Sequence, residues 1–481
     1  MRFKINAVGA LAALFILSVS AYAKPTIGES YLGAYLGTQK IGYMICRVEE
    51  TNTDGIEGYR ISSILNSQLK VLGTDVSQYI TTVTVADKNM KPRTQDFSMS
   101  SGGKTTTVRA HYLPEKVVCN VSAGSGATVQ TVPIPPNVNL IVDTVFGFSQ
   151  PVLTIGSKSR DYYFNPLTMT IDAIDTTIER AEKLSIDGKE YDTIVLTSST
   201  NLGKMTLWQT NDGNIVQIEA VMGIHMVIES REKAMSGMGG GTPQDFAVLT
   251  SVKTDKPIPA PRKLNSLSLV LSGMDEAAFA ISDSRQTVKI DSALKQARIK
   301  IAVPSLVSRN TVKLPVSNVS LQADIISTPY IDCDNAAIKK QAKEIVATEK
   351  NITIVCSRLR NWIHQNMQPQ ADIGITRSAS DVLATRTGVC RDYAILFAGL
   401  ARSLGVPTKV VSGLVYADNA FYYHAWVECW TGTWTPYDAT LSSDYVDATH
   451  IKLAEGDATS MFTLSRIIGG LKIKVVSYSP K

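Results

Sequence analysis

Apolar and polar residues alternate with a period of two along much of residues 28–232. "KTTTVRAHYL" (104–113) and "MTLWQTNDGNIVQIEAVMGIHMVIES" (205–230) are clear cases. Asp-Gly pairs at 54–55, 187–188 and 212–213 fall between such runs, where tight hairpin turns belong. Many short strands with almost no 3.6-residue period predict a β-rich, antiparallel N-terminal module over 24–233, curled or half-closed. The stretch 124–140 is a seam between two possible subdomains. "AMSGMGGGTPQD" (234–245) carries three consecutive glycines and opens a linker read over 234–262. A β connecting segment follows over 263–325. In 326–481 the period changes. "NAAIKKQAKEIVATEKNITIVCSRLRNWIHQNM" (335–367) reads as two helices with a break near Asn351. Ser378 caps a short third helix, and a fourth starts near Cys390 and stops at Gly405 and Pro407. "TKVVSGLVYA" and "FYYHAWVECWTGTWTPYDAT" then alternate as strands, the second turning back at Thr431-Gly432-Thr433. The fold class is α+β: helices and antiparallel sheet at the C-terminus, behind the β-rich module.

The first residues change the picture of where the chain works. Arg2 and Lys4 precede an apolar run that ends in Ala21-Tyr22-Ala23, the pattern of a cleaved signal peptide over 1–23. The expected location is periplasmic or secreted, with no integral membrane anchor after cleavage. Without Arg2 and Lys4 the basic count is 46 against 43 acidic residues, a net charge of +3. So near-balanced a chain offers no nucleic-acid surface. Six cysteines are too few for a disulfide framework, although Cys46 and Cys119, both in apparent strands, could pair. There is no CxxC, no HExxH and no acidic loop of EF-hand type, so no metal and no cofactor is expected.

The candidate chemistry lies in the last hundred residues. Cys390 stands on a glycine turn at a helix start, where free backbone N–H groups and the helix dipole favour an anion. A hairpin centred on Thr431 sets His424 directly opposite Asp438, each seven residues from the centre, and cross-strand partners touch. A carboxylate on one ring nitrogen fixes the tautomer and aims the other nitrogen outward. Trp426 shares the face of His424 and Tyr423 flanks it, which makes both candidates for substrate contact. Arg391 and Asp392 read as a solvated first helical turn. His111, His225, His364 and His450 have no partner pattern and read as structural or exposed.

Three blocks, "TGVCRDYAILFAGLARSLGVPTKVVSGL", "HAWVE" and "WTPYDAT", resemble the signatures of the transglutaminase-like superfamily, the papain-related cysteine enzymes. The likeness spans residues 335–455 and is nearest to exported bacterial members. It implies a papain-like C-terminal domain, its nucleophile helix packed on antiparallel sheet. It also implies Cys390 as nucleophile, His424 as base and Asp438 as the group orienting the base. The implied reaction is acyl transfer from an amide of a protein or peptide substrate. Water as acceptor gives a peptidase or amidase, and an amine gives a protein-glutamine acyltransferase. The rival expectation is a periplasmic binding or assembly protein that uses the β module and keeps the second domain as scaffold.

Overall fold

The computed structural model describes residues 25–480 apart from 54, 72–73, 124–125, 143–153, 202, 221–222, 239–244, 274–280, 304–311, 317, 371–375, 444–445, 459, 461–463 and 465–466. The signal peptide expected over 1–23 lies outside the described residues. The chain separates into two compact units with their boundary at residues 245/246.

In the N-terminal unit, the described residues form one antiparallel sheet of fourteen strands. The first strand, Gly28–Leu36, pairs on one side with Gln39–Thr53 and on the other with the last, Ile224–Ile228. The sheet is thus two meanders joined at that seam, with outer edges at Gly126–Pro133 and Lys158–Asn165. Asp187 (φ 50°) and Gly188 (φ 78°) make one tight turn, both in the left-handed region that a two-residue hairpin requires. Alternation buries one set of side chains per strand, such as Phe97 and Met99 in Pro92–Ser101. The break between the meanders starts after Pro133, inside the seam read over 124–140, because Gly126–Pro133 still completes a hairpin with Lys116–Ala123.

The C-terminal unit takes in more chain than 326–481. A short helix, Phe246–Thr250, leads into β1 (Val252–Lys253), which pairs with the later strand Ala420–Trp430. Three strands follow: β2 (Leu264–Ser272), β3 (Gln286–Asp291) and β4 (Gln296–Ala302). They form a four-stranded sheet with β9 (Lys472–Pro480) at the far end of the chain. The stretch read as linker, 234–262, therefore ends inside this unit, and 263–325 supplies a sheet rather than a connection. The two pairings join residues far apart in the chain, Val252 with Phe421 and Ser272 with Lys472, and alternation within a strand does not identify its partner.

Four helices carry the main core: α1 (Ala336–Val346), α2 (Ile352–Asn366), α3 (Ala379–Thr385) and α4 (Cys390–Ser403). Asn335, Asn351 and Ser378 cap the first three, each side chain accepting a backbone N–H of the first turn. Ile338, Ala342 and Val346, four residues apart, line one face of α1. They meet Val355, Leu359 and Ile363 of α2 and Ile395, Phe397 and Leu400 of α4. Each large aliphatic side chain buried this way contributes about 1.5–3 kcal/mol. Gly405 (φ 80°) closes α4, and Pro407 bars its continuation. Strands β5 (Thr408–Ala417), β6 (Ala420–Trp430), β7 (Trp434–Tyr437) and β8 (Ile451–Gly456) complete a second sheet with β1. Among the described residues no helix is long and apolar enough to cross a membrane.

Candidate active site

Cys390 is the first residue of α4 and half-buried, whereas the other five cysteines are buried; all six are free thiols. Burial alone pushes Cys46 and Cys119 up to about 12, so neither is a nucleophile at neutral pH. They stand on the second and seventh strands of the large sheet and form no disulfide.

The turn before Cys390 is built by a buried ion pair. Arg377 Nη2 lies 2.9 Å from Asp392 Oδ2, with the two side chains 5% and 1% exposed. Asp392 Oδ2 also accepts the backbone N–H of Val389 (2.9 Å), and Arg377 donates to Thr387 O (2.6 Å). Gly388 fits because it has no side chain: a Cβ there would lie 2.4 Å from Asp392 Oδ2 and 2.6 Å from Arg377 Nη2. Asp392 and Arg391, read as a solvated turn, are both buried. The correction is physical: Arg377 approaches Asp392 through the fold, and no local spacing announces it.

His424, on β6, is buried, and its Nε2 lies 2.9 Å from Asp438 Oδ2. The contact expected from the sequence is present, but the register that argued for it is not. The hairpin is centred on Gly432, with Trp430 opposite Trp434 and Val427 opposite Tyr437. β7 ends there, and Asp438 reaches His424 from the loop that follows.

That loop is gripped from α2. Arg360, buried, donates to the carbonyls of Asp438 (3.1 Å), Leu441 and Ser443 (2.6 Å). His364 Nδ1 lies 3.0 Å from Ala439 O. Thr440 closes the loop on itself, giving its N–H (2.8 Å) and Oγ1–H (2.5 Å) to Asp438 Oδ1.

With Nε2 engaged by Asp438, Nδ1 is the ring nitrogen left over, and among the described residues it is buried without a hydrogen-bond partner. Burial works to lower the His424 pKa. The Asp438 charge and hydrogen bond, with a further contribution from Cys390, outweigh it and raise the value to about 10. Asp438 shows the reciprocal effect: burial pushes it up, but His424 and then His450 hold it well below the carboxylate range.

His450 is the residue the sequence left out. It is buried, with Nε2 3.2 Å from Asp438 Oδ2 and Nδ1 3.4 Å from Asp447 Oδ1. Asp447 accepts from Thr449 N (2.8 Å) and Thr449 Oγ1 (2.5 Å), and pairs with Arg262. His424, Asp438 and His450 bring three possible metal-ligand atoms within 4.8 Å of one another. Both imidazoles hydrogen-bond to one carboxylate oxygen, which accounts for the cluster without an ion.

The two candidate substrate residues sit elsewhere. Trp426 is fully buried, stacked beside His424 (6.1 Å between centroids) and edge-on to His450 (5.3 Å), so it backs the histidines rather than facing solvent. Tyr423 points to the other face of β6 from His424 and donates to Ile467 O (3.2 Å). Tyr422 shares the His424 face and packs against Val415, Ala417 and Leu441.

Residues 339–439 match the family described as Transglutaminase-like superfamily, and residues 30–233 match Protein of unknown function (DUF3108). An uncharacterised protein of Mycobacterium leprae (strain TN) is 32% identical over 106 residues, 20% of this chain, which spans 38% of that protein's length. Among solved structures, a candidate cysteine protease from Cytophaga hutchinsonii is 15% identical with TM-score 0.30, covering 46% of this chain and 86% of its own. A β-barrel-like protein of a domain of unknown function, DUF1849, from Brucella abortus is 10% identical with TM-score 0.30, covering 42% and 94%.

Proposed function

The C-terminal domain belongs to the transglutaminase-like superfamily, and from that premise we propose that this chain is an exported, cysteine-dependent acyl-transfer enzyme acting on amide bonds of proteins or peptides. The observation that carries the reading is His424, buried with Nε2 on the Asp438 carboxylate and Nδ1 left without a hydrogen bond, in a domain where Cys390 opens the helix α4.

A His424 pKa near 10 keeps the ring protonated at neutral pH. In this reading the Cys390 sulfur, at the N-terminal end of α4, is the nucleophile and the protonated ring is the acid. In the proposed reaction Cys390 sulfur attacks the amide carbonyl carbon, and the carbonyl electrons move onto oxygen. The tetrahedral intermediate collapses as His424 gives its proton to the departing amine, leaving a thioester on Cys390. Asp438 fixes the tautomer and matches the ring's charge whenever the ring is protonated. In the second half, His424 takes a proton from water or an amine, which attacks the thioester and frees the enzyme. Both acceptors use the same three groups, so the acceptor is decided by access to the thioester.

The test is to incubate the protein with casein, with and without a fluorescent primary amine, beside Cys390→Ala. New peptide termini or released ammonia without the amine assign hydrolysis, and covalent fluorescence on casein assigns transamidation. The absence of any Cys390-dependent product of either kind favours the scaffold reading.

A further inference from the structure

The carboxylate of Asp438 holds four hydrogen-bond donors, close to its full capacity. Thr440 supplies two to Oδ1, while His424 and His450 share Oδ2 at 2.9 and 3.2 Å. Thr440 is only two residues from Asp438, so its two bonds hold the carboxylate to its own loop, with Oγ1 also 3.4 Å from His424 Nε2. His450 adds a second strand to which the carboxylate is tied. It stands one residue before β8, which pairs with β5, and β5 pairs with β6, the strand of His424.

The ring of His450 is itself held from three sides. Trp426 packs edge-on to it, and Asp438 and Asp447 face its two nitrogens. Behind Asp447, Arg262 ties the arrangement to the segment entering β2 and also donates to the carbonyl of Tyr416 in β5. Its Nε2 hydrogen-bonds to Asp438, the carboxylate with the orienting role in the reaction proposed above, while its Nδ1 stands 3.4 Å from Asp447 without a hydrogen bond.

We propose that His450 is a positioning residue for that reaction: by donating from Nε2 to Asp438 Oδ2 it keeps the carboxylate ionised and aimed at His424, with Trp426 and Asp447 packed about its own ring. This rests on the functional reading only for its purpose. The contact between His450 and Asp438 is tested apart from catalysis.

The experiment follows the imidazole nitrogens of His424 by NMR in full-length protein labelled at its five histidines, from pH 7 downward. The acid limb of the His424 signal reports protonation of Asp438. The charged groups around that site are His424, His450 and Arg360 around Asp438, Asp447 and Arg262 beyond His450, and Cys390 beyond His424. His450→Leu removes the donor and is expected to move the limb up by about one to two pH units, the worth of one hydrogen bond to a charged group. His450→Gln carries an amide N–H to the Nε2 position and is expected to keep the wild-type limb. His450→Asn, a methylene shorter, is expected to shift as Leu does.

A purely structural role predicts lower melting temperatures with the limb unmoved in all three variants, and that result overturns the proposal. If His450→Leu does not fold, the Gln and Asn pair decides in the same way. Iodoacetamide labelling of Cys390 in the wild type separates the two claims. An inert Cys390 beside a limb that shifts removes the enzyme reading and leaves His450 as the group that sets the charge of Asp438.

Discussion

Replacing Gly388 by Ala perturbs the candidate site without touching any of its three central groups. The added Cβ would stand 2.4 Å from Asp392 Oδ2, 2.6 Å from Arg377 Nη2 and 2.6 Å from Asp392 Cβ. Side-chain tips can swing away, but Asp392 Cβ is fixed on the first turn of α4 and the carboxylate is pinned by Val389 N–H. The pair must therefore separate or the turn must lift. Overpacking alone costs about 1–3 kcal/mol, and separating a buried ion pair about 3–5 kcal/mol. Arg377 keeps its bond to Thr385 Oγ1 (2.9 Å), which points to the lower figure, about 3 kcal/mol. For a unit of this size that is a fall of roughly 6–12 °C in melting temperature. Gly405→Ala is the control: its φ is also positive, at 80°, but its Cβ would meet nothing within 4 Å. There only backbone strain applies, about 1–2 kcal/mol. Calorimetry gives the stabilities, and iodoacetamide labelling followed by peptide mass spectrometry reports Cys390. Gly388→Ala should slow labelling of Cys390 at pH 6, and Gly405→Ala should not. If Gly388→Ala melts within 2 °C of wild type and labels normally, the Arg377–Asp392 pair is not what holds the turn.

Three further outcomes follow from the same structure. The His424 pKa is raised to about 10 from an ordinary 6.5 and that of Asp438 is lowered, so their contribution to stability is full between about pH 4 and 6.5. It is lost on the alkaline side as pH rises toward 10. The melting-temperature gap between wild type and His424→Gln should accordingly shrink from pH 6 to pH 10, and a constant gap would contradict the linkage. Residues 246–481 should unfold cooperatively, whereas 326–481 should not, since it lacks β1, the sheet partners of β9, and Arg262 beneath Asp447; circular dichroism melts compare the two. N-terminal sequencing of the protein expressed in a bacterial host should begin at Lys24, and an intact Met1 would remove the export expectation.

What the sequence disclosed, and what it hid, follows from the range of each interaction. The break near Asn351, the cap at Ser378, the stop at Gly405 and the Asp187-Gly188 turn act over a few residues, and local residue types point to them. Cys390 and His424 were legible for a related reason: a thiol at a helix start and a histidine on an apolar alternating strand are locally odd. Asp438 was found through a hairpin centre one residue out and a pairing register two residues out, because the loop after β7 closes a gap that strand pairing does not. Arg360, Arg377, Arg262 and His450 were not legible. Each is a polar residue whose place depends on a partner brought in by the fold: Asp392 for Arg377, Asp447 for the half-buried Arg262, the loop carbonyls of Asp438, Leu441 and Ser443 for Arg360. Asp392 looked like an ordinary acidic residue in a first helical turn for the same reason. The C-terminal unit's reach back to residue 246 was hidden likewise, since β2 alternates but does not name β9.

The central claim is that Cys390 is an activated nucleophile, and its labelling rate tests it with no substrate required. Full-length protein is treated with iodoacetamide from pH 5 to 9, and the labelled peptides are quantified. The account predicts that Cys390 labels at a rate that persists well below pH 7, that the buried cysteines do not label, and that His424→Ala returns Cys390 to the profile of an ordinary thiol. A Cys390 that stays unlabelled across the range, or that titrates near pH 8.5 with or without His424, would contradict it.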